Sequence, residues 1–393
     1  MMVCINNDVY LPVFDQYGNY ENGNMKLFEK TQLGGVNLKN RMAMAAMTRG
    51  RTDINGLVGD MTIEYYTQRA GAGLLFTEAI RISEEATGSP FTPGIFTGQQ
   101  IEAWKKVTAA VHDKGGVIIA QLWHAGRMGH SADRNGKLPF APSPLPIRGM
   151  QHFTSQGKKD YEIPREMTIP EIRQTIMDFG QAAKNAVAAG FDGVQLHAAN
   201  GCLPNQFLAE SANQRTDRYG GNIPNNTRFV LEVMQELISA VGSKKVGVKI
   251  SPFHPYGDII LDNPSATYTY LIEEFNKLDF AHVELMRRSP FFPSPEHYAA
   301  DNEIEFFGRK VRQTVIANAG YDKASGEAEL EKGIAKLISF GKLYIANPDL
   351  PERFEKNVAL SEPDRATIYG GGKHGYIDYP LWNEYNAIKI KDN

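Results

Sequence analysis

Residues 189–208, AGFDGVQLHAANGCLPNQFL, set a histidine, a carboxamide and a thiol close together just beyond a short apolar run. Imidazole, amide and thiol side chains hydrogen-bond, carry protons or attack carbon, so His197, Asn200 and Cys202 form a candidate reactive group. Positions three apart on a strand face opposite sides. His197 and Asn200 therefore converge only if the strand ends between them, which Ala-Asn-Gly favours. The competing reading is a hydrogen-bonded packing histidine at a strand end. Other polar residues fall at equivalent places: Thr48 and Arg49, Gln121 and Trp123, Lys249, and Lys342. Singly, each could be a satisfied polar residue; jointly they describe an apolar pocket with a polar lining. The segments NAGYD (318–322) and FGKLYIANPD (340–349) combine small residues, a cation and nearby helix starts. Free backbone N–H groups beside a positive charge suit a phosphate, so a phosphorylated cofactor is expected.

The elements that must position these groups alternate along the chain. Strand-like runs occupy 41–47, 73–80, 116–123, 191–198, 245–252, 280–286, 314–320 and 336–342. Helix-like stretches lie between and after them: 61–70, 98–114, 169–189, 226–241, 265–278, 303–313, 326–335 and 348–358. Gly115, Gly190 and Gly242 stand where left-handed helix caps favour glycine. Eight strand-then-helix units in series predict an α/β fold, a single (β/α)8 TIM barrel, whose ligand sites lie at the C-terminal strand ends. A doubly wound sheet would need a chain reversal that the series does not show. The longest insertion, about 126–168, follows the third strand and is expected to cover the mouth. Residues 1–26 read as a polar N-terminal arm and 27–393 as the barrel with its C-terminal tail.

Composition narrows the function. The 393 residues are 42% hydrophobic with a net charge of −3 and no basic stripe, which argues against a nucleic-acid partner. Two distant cysteines, Cys4 and Cys202, make neither a disulfide framework nor a metal site. No apolar run approaches membrane-spanning length, and the N-terminal segment has no signal-peptide character, so a soluble cytoplasmic protein is expected. GGGKHG (370–375) fits a dinucleotide fingerprint only formally, because YIDYP follows it in place of a helix. The acceptor-like NNT (225–227) carries no weight without a secretion signal.

Longer motifs carry a family resemblance. NRMAMAAMTR (40–49), YYTQRAGAGLLFTEA (65–79), QLWHAGR (121–127), the stretch around His197, NQRTDRYGG (213–221), IANPDLPERF (345–354) and GYIDYP (375–380) together resemble the old yellow enzyme family of FMN-dependent ene-reductases. Long motifs in one order are far more specific than any short pattern.

The resemblance implies FMN at the barrel mouth. Ala46, Met47 and Thr48 would line the flavin ring, with Thr48 near O4, while Ala79 and Gln121 meet its pyrimidine end. Lys249 stands where the family usually has arginine, near N1 and O2, where a cation stabilises the reduced flavin. Ala319, Gly320 and Gly341 would contribute the phosphate loops, with Lys342 replacing another arginine; phosphate accepts lysine as a point charge. His197 and Asn200 would hold the oxygen of an enone or nitroalkene while hydride leaves flavin N5. NADPH or NADH would reduce the flavin at the same face in a ping-pong cycle, which needs no separate dinucleotide domain. Cys202 replaces the family's proton-donating tyrosine, so the proton could come from this thiol, from Tyr369 or from water. No metal site is expected, and the assembly is a monomer or homodimer. The replaced tyrosine also leaves room for a flavin-binding barrel with little alkene turnover.

Overall fold

The computed structural model describes residues 25–299 and 302–383. Most of the arm and the end of the tail lie outside these described residues. Eight parallel strands form the barrel: β1 (Met42–Met44), β2 (Leu74–Phe76), β3 (Ile118–Trp123), β4 (Gly193–Ala198), β5 (Val246–Ile250), β6 (His282–Met286), β7 (Thr314–Asn318) and β8 (Ala335–Phe340). Each pairs in parallel with the next, β8 pairs with β1, and β3 pairs with β4, so the sheet closes on itself without an edge.

The outer helices are α1 (Asp60–Gln68), α2 (Gly98–Asp113), α3 (Ile169–Ala188), α4 (Ile223–Val241), α5 (Pro264–Phe275), α6 (Glu303–Gly308), α7 (Lys323–Glu331) and α8 (Leu350–Glu355). Three of them start in a reciprocal capping box: Thr97 with Gln100, Thr168 with Glu171, and Asp322 with Ser325. Gly115, Gly190 and Gly242 do adopt positive φ (+67°, +88° and +85°) beyond their helices.

Several strands are shorter than the apolar runs suggest. β1 stops at Met44, leaving residues 45–48 as irregular chain along the rim. The run after α7 ends earlier too: Lys342 does not close β8 but begins a short helix, Lys342–Ala346. β2 is followed by a bend, and Ile80–Arg81 then pair with the end of β3.

The two ends of the barrel differ. At the N-terminal end, an antiparallel hairpin, Thr31–Leu33 and Val36–Leu38, closes the bottom. Its Gly34 and Gly35 both have positive φ, as a two-residue primed turn requires. Leu33 and Leu38 pack against Ala43, Leu74, Phe76, Ile119, Ile316 and Leu337, so this end is apolar and sealed. This hairpin was absent from the sequence reading.

At the other end, residues 126–168 include a hairpin, Gln151–Thr154 with Gly157–Asp160, and a two-residue parallel pair, Arg165–Glu166 with Phe140–Ala141. Arg127 ties this insertion to the loops after β4 and β5 by donating to the carbonyls of Leu145, Ser211, Gly257 and Asp258. No helix among the described residues is long and apolar enough to cross a membrane.

Candidate functional site

The turn after β4 is built by two consecutive left-handed residues, Asn200 (φ +52°) and Gly201 (φ +78°). Asparagine tolerates that conformation and glycine is at ease in it. At Gly201 a side chain is excluded twice over, because a Cβ would stand 2.7 Å from Met128 Sδ and 3.0 Å from the Tyr256 carbonyl oxygen. The Asn200 backbone N–H donates to Ser251 Oγ at 3.1 Å, and Gln206 Nε2 donates to the Gly201 carbonyl at 2.7 Å. The chain thus reverses sharply and brings His197, Asn200 and Cys202 to one rim.

His197 is 8% exposed, and neither of its ring nitrogens has a hydrogen-bond partner among the described residues; Nδ1 is fully buried. The same holds for the Asn200 side-chain amide, whose Oδ1 is buried and unpartnered. Burial, with a smaller push from the Lys249 charge, holds the His197 imidazolium pKa down to about 3, so the ring is neutral at physiological pH. His197 Nδ1 and Asn200 Oδ1 are buried without partners, as are ring nitrogens of His124, His152, His254 and His282; these two stand at the end of β4 and its turn, on the ligand-binding side of a barrel.

Cys202 is buried beside Ala79, Trp123 and Ala125. The Trp123 indole Nε1–H donates to its sulfur at 2.9 Å, and burial pushes the thiol well above its ordinary range. The thiol therefore stays protonated, with its sulfur acting as an acceptor.

The interior wall is organised differently. Strand register sets His197, Lys249 and Glu284 side by side, and one step below them Gln195, Gly247 and His282. Gly247 must lack a side chain here, because a Cβ would meet the His282 ring at 2.0 Å. Lys249 Nζ donates to Glu284 Oε1 at 3.1 Å and to Asn318 Oδ1 at 2.9 Å, leaving one of its three N–H donors. Glu284 Oε2 accepts from Gln195 Nε2 at 2.9 Å, and Gln195 Oε1 accepts from Gln121 Nε2 at 2.8 Å. Asn318 Nδ2 donates to the Ser339 carbonyl at 3.1 Å.

Along the β1 rim, Ala46, Met47 and Thr48 are half-buried. Their neighbours are fixed: Glu78 Oε2 accepts the backbone N–H groups of Arg49 and Gly50. The side chains of Arg49 and Arg51 donate to the carbonyls of Thr367, Ile368, Gly372, His374 and Gly375, which straps the C-terminal segment beside the mouth. Tyr369 rides on that strap and is 67% exposed.

Where a phosphate is expected, Ala319 (φ +80°) and Gly320 (φ +73°) form a left-handed turn, and Gly341 precedes the Lys342 helix without a side-chain cap. The Lys342 ammonium leans to Glu362 at 2.7 Å on the exposed side of this loop. A cation the sequence reading passed over, Arg287, grips the Ala319 carbonyl through Nε (3.0 Å) and Nη2 (2.7 Å) and lies 3.7 Å from the Tyr321 ring centre. Its position directly after β6 was the available signal.

Other aromatic residues sort themselves. Phe253 is wholly buried against Tyr298 and Phe307 and belongs to the core. Phe292 packs edge-on against Tyr256 (5.0 Å) and His254 (5.5 Å), while Phe291 is 81% exposed.

The donor set fits FMN. An ammonium with one donor left, a half-buried irregular rim segment and two glycine-containing loops match a flavin ring and its phosphate. The chain also matches the model of the NADH:flavin oxidoreductase / NADH oxidase family over residues 26–361. The 12-oxophytodienoate reductase 1 of Oryza sativa subsp. japonica is 38% identical over 356 residues, covering 90% of this chain and 92% of that protein. Among solved structures, an old yellow enzyme homologue from Zymomonas mobilis superposes with a TM-score of 0.87 at 36% identity, covering 91% of this chain and 99% of that one. Morphinone reductase in complex with tetrahydroNAD gives a TM-score of 0.85 at 41% identity, covering 91% and 98%.

Proposed function

The chain belongs to the FMN-dependent NADH:flavin oxidoreductase / NADH oxidase family, and we propose that it reduces the C=C bond of α,β-unsaturated carbonyl or nitro compounds with electrons from NADPH or NADH. When bound, FMN supplies hydride transfer to the alkene. The observation that carries this reading is the pair of buried, unpartnered polar groups His197 and Asn200 at the end of β4.

Each has a part in that reaction. The neutral His197 ring and the Asn200 amide can each donate one hydrogen bond to the substrate oxygen, where negative charge collects as hydride reaches the β-carbon. Because the turn holding them is locked by Ser251 and Gln206, the two donors need no reorganisation when that charge forms. Ala46, Met47, Thr48, Ala79, Gln121 and Lys249 would hold the ring, and Ala319, Gly320, Gly341 and Lys342 the phosphate. The buried, indole-bonded Cys202 walls the pocket, and water supplies the α-carbon proton, since a thiol whose pKa is raised is a poor acid.

The test is spectroscopic. Without air, the yellow holoprotein bleaches on adding NADPH or NADH, and the colour returns on adding cyclohexenone. A protein that bleaches but is not recoloured by any enone or nitroalkene would instead be a flavin protein without alkene turnover.

A further inference from the structure

The Lys249 ammonium does not stand alone. Its counter-ion Glu284 is 3.1 Å away, both side chains are almost wholly buried, and Glu284 is held from its other oxygen by Gln195. A bare cation acts as a monopole, whereas an ion pair acts as a dipole whose field falls off faster with distance. In a dry interior that difference is large, because there is little water to screen it. The neighbouring imidazoles add no charge, because His197 and His282 are neutral at physiological pH.

We propose that Glu284 sets how much positive charge Lys249 presents to the pyrimidine end of the flavin, holding the reduction potential of the bound cofactor below the value an unpaired lysine would give. This rests on the reading that places Lys249 beside the flavin. Glu284 touches neither substrate nor cofactor in this account; it acts through the lysine. Negative charge gained on reduction is stabilised by the remaining Lys249 N–H donor, but against the opposing pull of the carboxylate.

The experiment measures the two-electron midpoint potential of the purified holoprotein at a fixed pH, with FMN content assayed in parallel. In Glu284→Gln, an isosteric neutral replacement, reduced FMN should be favoured over oxidised FMN at least tenfold more than in the parent, about 30 mV upward per tenfold. Glu284→Asp keeps the charge and should stay within about twofold of the parent. Lys249→Gln leaves the carboxylate unopposed and should move the potential down. A potential that falls in Lys249→Gln but does not move in Glu284→Gln would overturn the proposal while leaving the placement of Lys249 intact. If neither variant moved the potential, the lysine would not face the flavin, and both would fail. Should Glu284→Gln not accumulate as folded holoprotein, Glu284→Met removes the same charge, and a potential that does not rise in it overturns the proposal.

Discussion

At the end of β4, His197 Nδ1 and Asn200 Oδ1 are buried and unpartnered, whereas on the adjoining wall Lys249, Glu284, Gln195 and Asn318 bond one another. Both groups lie on the same barrel and within neighbouring strands, so burial alone does not distinguish them. A buried polar group without a partner costs about 1–3 kcal/mol, and a sequence that keeps two of them side by side gives up stability there. The bonded wall, by contrast, is rigid and electrically balanced. The difference separates two jobs: the unpartnered pair meets a ligand atom, and the bonded wall supports and tunes what lies above it.

The sharpest way to break this comparison is to remove the unpartnered imidazole. His197→Ala should slow flavin reoxidation by cyclohexenone about 10²–10³-fold, the usual effect of losing one preorganised donor. Because the ring has no hydrogen bond to lose, the melting temperature should fall only by what the lost packing costs. Para-substituted phenols offer an independent reading: as phenolates on His197 and Asn200 they should give a broad long-wavelength band with the flavin, and the variant should lose it. A variant that bound phenol and reduced enones like the parent would return His197 to the status of a packing residue.

A smaller effect compares the two regions through pH. His197 and His282, one from each region, are held by burial at about 3 and about 4, and His124 and His254 are likewise lowered. Their folded-state values lie below the unfolded value of about 6.5, so between pH 6 and 4 the unfolded chain binds more protons and stability falls as pH falls. Each such histidine contributes about 1.4 kcal/mol per pH unit in that window. Denaturant unfolding at pH 6, 5 and 4 should therefore show the slope reduced by one proton in His197→Asn. An unchanged slope would mean that the ring is protonated in the folded state.

The legible part of the molecule follows the same division. Eight strands and their helices announce themselves because most strand residues are buried on both faces and most of the helices have a side-chain cap or a terminal glycine. His197, Asn200, Gln121 and Lys249 could be singled out because polar residues at the ends of apolar strands are conspicuous. Glu284 sits inside the apolar run 280–286, and its meaning depends on register with Lys249, which only strand pairing reveals. The bottom hairpin was missed although Gly34-Gly35 is a turn signal, because its strands are only three residues each. Lys342 lies at the end of an apolar run, but the chain turns into a helix there and the side chain pairs with Glu362, a choice made by tertiary context.

The smallest predicted effect concerns Cys202, which belongs to neither region cleanly: it is buried like the bonded wall, yet stands in the turn that carries the unpartnered pair. Its sulfur accepts the Trp123 indole N–H and its thiol pKa is raised by burial, so it is a weaker acid than a free thiol and is held by packing. If water protonates the α-carbon, Cys202→Ala loses no charge-stabilising group, and reoxidation by cyclohexenone should remain within about threefold of the parent. The cost should appear in stability, because the Trp123 N–H loses its acceptor, a penalty of about 1–3 kcal/mol if water cannot reach it. Reaction in deuterated water, with the rate of nicotinamide oxidation followed separately, keeps hydride and proton steps apart. A slowing of about 10²-fold in reoxidation alone, with phenol binding and flavin reduction intact, is what removal of a positioned acid produces, and it would make the thiol the donor. Cys202→Tyr completes the comparison: a phenol here that leaves the rate unchanged shows that this position does not supply the limiting proton.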